Sequence, residues 1–110
     1  MSGGGDSSGW TPPSRPQPGD GVDECDIFEI TSISSPVPAV VQTLNVGDIL
    51  DVSLLGTSQL IVLHNGQPAG AITSPKMMLF VNCIAEFGNV YVARVLSING
   101  GQVRIKVYRQ

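Results

Sequence analysis

Hydrophobic and polar positions alternate through most of the chain, and the period becomes helical in one stretch. "DIFEITSIS" (26–34) sets Ile27, Glu29, Thr31 and Ile33 against Phe28, Ile30 and Ser32, the two-residue repeat of a strand. "SPVP" (35–38) ends it, because two prolines remove donors and fix φ. "AVVQTLNVGD" (39–48) fits either a short strand or one turn of helix. "ILDVSLL" (49–55) places Leu50, Val52 and Leu54 on one face and Asp51 and Ser53 on the other. "QLIVLH" (59–64) is apolar on both faces, as a central strand is. Asn65-Gly66 then predicts a tight hairpin, since a type I′ turn needs positive φ at both central residues. The return strand, "QPAGAI" (67–72), carries Gly70 as a bulge or a close backbone approach.

"SPKMMLFVNCIAEFG" (74–88) predicts a helix over about 75–87: Ser74 suits the cap, Pro75 the first helical position and Gly88 a left-handed exit. Met77, Phe80, Val81, Ile84 and Phe87 recur on one stripe. "NVYVARVLSI" and "QVRIKVYR" read as two further strands joined at Asn99-Gly100-Gly101. The expected fold is mainly β, a small, strongly bent or partly open barrel of about five to seven short strands with one helix.

Composition divides the chain in two. Residues 1–24 are rich in Gly, Ser, Pro and Asp and read as a disordered acidic tail, leaving 25–110 as the barrel domain. Asp6, Asp20, Asp23, Glu24 and Asp26 against Arg15 give residues 1–26 a charge of −4. Lys76, Arg94, Arg104, Lys106 and Arg109 against Glu29, Asp48, Asp51 and Glu86 give residues 27–110 a charge of +1. The overall acidity therefore does not decide between anionic and cationic partners. The first residues lack a basic n-region and an apolar h-region, so no secretory leader is expected. No apolar run reaches the length of a membrane span. Cys25 and Cys83 are too few for a disulfide framework and lack metal-ligand spacing. The expectation is a cytoplasmic protein with both thiols reduced, a single disulfide being the alternative.

Little of the sequence looks like catalysis. His64 is the sole histidine, and no nucleophile or second base is spaced to work with it. Asp48 and Asp51 are three apart, on opposite faces of a strand, and do not form an acid pair. No enzyme, metal or cofactor is expected. "VRIKVYR" is more informative: Val103, Ile105 and Val107 face one way, and Arg104, Lys106 and Tyr108 the other, with Arg109 following. Cations tracking phosphates beside a ring that stacks on a base are what a single-stranded nucleic-acid groove uses. The alternative is a solvated edge strand whose charges deter aggregation. Arg94 shares its face with Val90, Val92, Leu96 and Ile98, so it needs a carboxylate such as Glu86 or Asp51, or a ligand anion.

From Asp48 onward the pattern resembles the HIRAN domain, a small barrel attached to DNA helicases and nucleases and also encoded alone in bacteria. The resemblance rests on "LIVL", "PAGAI", the apolar stripe of "MMLFVNCIAEFG", and "ARVLSINGG" leading into a last strand, about 60 of the 110 residues. It implies an OB-, SH3- or HIRAN-like barrel and a DNA-related binding role. The Asn-Pro-Tyr-Asp character usual in the family is replaced by "LLGTSQLIVL", and no contact residue is carried over.

Two functions follow as expectations. One is a non-catalytic module holding single-stranded or end-exposed DNA or RNA on Arg104, Lys106, Tyr108 and Arg109, with Arg94 and Lys76 assisting. The other is a protein-interaction or accessory module. It would use an apolar barrel groove or edge together with the acidic tail, whose "GWTPPSRPQP" sets Trp10 beside a polyproline II-forming run. Neither involves a membrane.

Overall fold

The computed structural model describes residues 23–110. Trp10, the proline-rich run and the rest of residues 1–22 lie outside the described residues. The order is β1 (Phe28–Ser32), α1 (Pro38–Val41), β2 (Ile49–Leu55), β3 (Gln59–His64), β4 (Gln67–Ile72), α2 (Met77–Phe87), β5 (Tyr91–Asn99) and β6 (Gln102–Arg109). All strand pairs are antiparallel, in the spatial order β1-β6-β5-β2-β3-β4. The fold is the mainly β, curled half-barrel that the alternation implies, with one main helix. The ambiguous stretch after "SPVP" resolves as a single helical turn with Pro38 at its start.

The curl comes from the chain just past β1. Ser34 and Ala71 exchange both backbone hydrogen bonds at 2.8 Å, and Val37 N–H donates to the Ala69 carbonyl at 2.9 Å. The extension of one edge strand thus pairs with the other edge. Gly70 permits this approach, because a Cβ there would lie 2.2 Å from Ile33 Cγ2. Opposite it the β3–β4 register shifts between Val62 and Leu63, so both features read into Gly70 are present. Asn65 (φ 52°) and Gly66 (φ 83°) form the expected primed hairpin.

Inside the curl, Leu50, Leu60, Val62, Val95, Ile105 and Val107 pack against Phe80 and Val81 of α2 and against Val40 and Val41 of α1. The Tyr91 ring meets Phe80 edge-on, centroids 4.9 Å apart. Helix α2 starts two residues later than its sequence suggests. Ser74 does not cap it through its hydroxyl; its carbonyl accepts the Met77 N–H, and the buried hydroxyl has no partner among the described residues. Glu29 of β1 supplies the acceptor instead, taking the Lys76 N–H on Oε1 at 3.1 Å. The exit is as expected, with Gly88 left-handed and its N–H on the Ile84 carbonyl. Phe87, assigned to the apolar stripe, is instead 70% exposed, and Cys83 takes a buried place on α2.

That cysteine brings the main correction. Cys25 and Cys83 are not free thiols but a disulfide, with Cα atoms 5.7 Å apart. It joins the lead-in of β1 to the middle of α2. Two further ties hold the same segment: the Tyr91 hydroxyl donates to the Cys25 carbonyl, and Arg109 pairs with Asp23 at 2.5 Å. The folded unit therefore includes Asp23 and Glu24, which composition had placed in the tail. No helix among the described residues is long and apolar enough to cross a membrane.

Candidate functional site

Alternation along β6 is realised residue by residue. Val103, Ile105 and Val107 are fully buried, so Arg104, Lys106 and Tyr108 project from the outer face of the sheet. Across the strands, Phe28 stands opposite Tyr108, and Tyr108 opposite Val92. The next outward row runs Ile30, Lys106, Arg94 and Ile49. Directly opposed residues on one face have Cβ atoms about 5 Å apart, so Phe28 and Tyr108 are cross-strand neighbours at one end of a cationic ribbon.

Lys106 Nζ lies 4.9 Å from the Phe28 ring centroid and 5.8 Å from that of Tyr108. Lys76 Nζ reaches Phe28 from the other side, 5.7 Å from its centroid, and donates to the Phe28 carbonyl at 3.1 Å. Ammonium groups at these distances are drawn to the negative ring faces. Phe28 remains 53% exposed, which leaves ring surface free for a flat apolar ligand. Sequence reasoning missed Phe28, because its nearness to Lys106 and Tyr108 depends on the β1–β6 pairing.

Arg94 is placed differently from its sequence reading. The buried side of β5 is Tyr91, Ala93 and Val95, and a bulge between Val95 and Ser97 then shifts the register. The even-numbered row through Val92 and Arg94 therefore faces outward, and Arg94 is exposed with no need of a buried carboxylate. It joins Lys106 and Arg104 on the outer face. Arg109 does not: its guanidinium is held by Asp23 Oδ2 at 2.5 Å and Asn89 Oδ1 at 3.4 Å. The structure thus groups Lys76, Arg94, Arg104, Lys106 and Tyr108, adds Phe28, and commits Arg109 to the fold.

The Arg109 guanidinium, with the Cys25 N–H, holds the Asp23 carboxyl below the usual carboxylate range, and Asp23 in turn raises Arg109. A depressed folded-state pKa means stability present above the unfolded value of about 4 and lost as pH falls through the lower folded value. Asp23→Asn is expected to lower the melting temperature at pH 7, with the difference from wild type shrinking as pH falls through the lowered folded-state value. Calorimetry across that range checks it.

His64 is not displayed on its hairpin. Its Nδ1 lies 3.1 Å from Thr43 Oγ1 and its Nε2 3.7 Å from Asp48 Oδ2. Thr43 Oγ1 donates to the Val40 carbonyl at 2.6 Å, and its contact with Nδ1 takes its direction from the imidazole tautomer. Asp48 Oδ2 also accepts the Asn45 N–H at 2.8 Å, and the group pins the α1–β2 connection to the end of β3. Asp51 is apart from this group, exposed on the outer face opposite Val92, where it ends the row that begins with Phe28 and Tyr108.

Comparison with protein-family models, with curated proteins and with solved structures finds no match to the chain.

Proposed function

We propose that the protein is a non-catalytic binding module that holds single-stranded nucleic acid across the outer face of β1, β6 and β5. The observation that carries this reading is the register Phe28–Tyr108 beside Ile30–Lys106–Arg94, which sets two rings against a line of cations. Successive outward residues on a strand are about 6.7 Å apart, a repeat suited to the phosphates of an extended single strand. Arg104 and Lys106 would meet phosphates, Tyr108 and Phe28 would stack on bases, and Arg94 and Lys76 would flank the path. The disulfide favours a working environment more oxidising than the cytosol.

The test is binding of a fluorescent oligothymidylate as salt is varied. Arg104→Ala/Lys106→Ala should weaken binding and reduce the slope of log affinity against log salt by about 1.4, two phosphate contacts on a single strand. Absence of binding at low salt would refute the reading. A second reading, docking of a protein partner, is favoured by the exposure of Leu79 (50%) and Phe87 (70%) on α2, away from the strip. Partner binding lost in Leu79→Ser/Phe87→Ser but retained in Arg104→Ala/Lys106→Ala would select it.

A further inference from the structure

The Cys25–Cys83 disulfide stands close to one end of the strip in sequence. Cys25 precedes Phe28 at the entry to β1, and Cys83 lies on the helix whose N-cap is Lys76. The bond therefore joins the two elements that supply the aromatic corner. At that corner Lys76 Nζ holds the Phe28 carbonyl and sits by its ring, while the Lys76 N–H holds Glu29. β1 is a five-residue strand at the end of the sheet order, and Phe28↔Tyr108 is its first pair. The end of a short outer strand is where local opening costs least. Lys106, Arg104 and Arg94 belong to β6 and β5, which have strand neighbours on both sides and carry no part of the disulfide.

We infer that Cys25 and Cys83 are positioning residues for this corner, so that reduction weakens single-strand binding through Phe28 and Lys76 alone. The inference rests on the function proposed above. A dithiol reductant breaks the S–S bond by delivering two electrons and two protons; Cys25 and Cys83 become thiols, and the dithiol closes to its cyclic disulfide. With the bond open, the lead-in to Phe28 is held only by the Tyr91–Cys25 and Arg109–Asp23 ties, so the ring and the Lys76 ammonium that meets it are held less firmly in the binding geometry.

The experiment is anisotropy with a labelled oligothymidylate about twelve nucleotides long. It compares oxidised protein, protein reduced by dithiothreitol, and the Cys25→Ala/Cys83→Ala variant. Loss of the bond should raise Kd about tenfold, one stacked base, and reduce the salt slope by about 0.7, one phosphate. In a Phe28→Ala/Lys76→Ala background, reduction should leave Kd unchanged while still lowering the melting temperature. An equal loss of affinity in that background would show that the bond acts through overall stability, and would overturn the inference. Equally tight binding by oxidised and reduced wild type would overturn it too, with the strip left standing. Failure of the oxidised protein to bind at low salt would overturn the strip and the inference together.

Discussion

Gly70→Ala is expected to cost about 3 kcal/mol of folding stability or more, because the added methyl has no room where the curl closes. Gly70 has φ 155°, and a Cβ there would stand 2.2 Å from Ile33 Cγ2, 2.8 Å from the Ser34 carbonyl oxygen and 3.3 Å from Pro36 Cα. Ile33 is buried and Pro36 Cα is backbone. The Ser34 oxygen accepts the Ala71 N–H, so relief by moving it breaks the bridge between the two edges. For a domain of this size the loss corresponds to about 12 °C in melting temperature or more. Gly101→Ala is the control, since a Cβ there meets nothing within 4 Å among the described residues. Thermal unfolding by circular dichroism should separate the two, and a Gly70→Ala protein melting with wild type would show that the closure is not tight.

The second large effect is on binding. Phe28→Ala/Tyr108→Ala removes both rings of the strip while leaving Lys76, Arg94, Arg104 and Lys106 in place. Base–aromatic stacking contributes about 1–3 kcal/mol per base, so Kd for an oligothymidylate should rise about 30-fold or more. The salt slope should stay near its wild-type value, because each cation still meets its phosphate. Arg104→Ala/Lys106→Ala should show the complementary pattern, a reduced slope with stacking retained. Ring removal that lowers the slope as much as cation removal would mean that the rings only support the cations. Phe28 is largely exposed, so its part of the substitution should hardly affect melting. Val92 lies opposite Tyr108 across the strands and is itself buried, which makes some loss of stability expected from the tyrosine.

How far these features could be read from the sequence depended on how local their causes are. The hairpin at Asn65-Gly66 and the exit of α2 at Gly88 follow from positive φ at single residues, and both are legible. So is the facing of β6, where a strict two-residue alternation leaves one arrangement that buries Val103, Ile105 and Val107. The facing of Arg94 was not. An apolar row on β5 suggested the interior, but Leu96 is 37% exposed, and the bulge after Val95 returns only Ile98 to the core. Phe28 and the disulfide were hidden for a shared reason: each depends on contacts between residues some 48 to 80 positions apart, where sequence offers no local signal. Ser74 illustrates a tertiary override. Its position suits a cap, yet the helix begins at Met77 with Lys76 as its N-cap, and Glu29 brought in by β1 accepts the Lys76 N–H.

The most direct measurement of the proposed function is an amide chemical-shift titration of the oxidised protein with a short oligothymidylate at low salt. The strip predicts perturbations confined to Phe28, Ile30, Arg94, Arg104, Lys106 and Tyr108, with Lys76 at their edge, fading as salt is raised. Perturbations that gather instead on Leu79, Phe87 and the rest of α2, or none at any salt concentration, would contradict it.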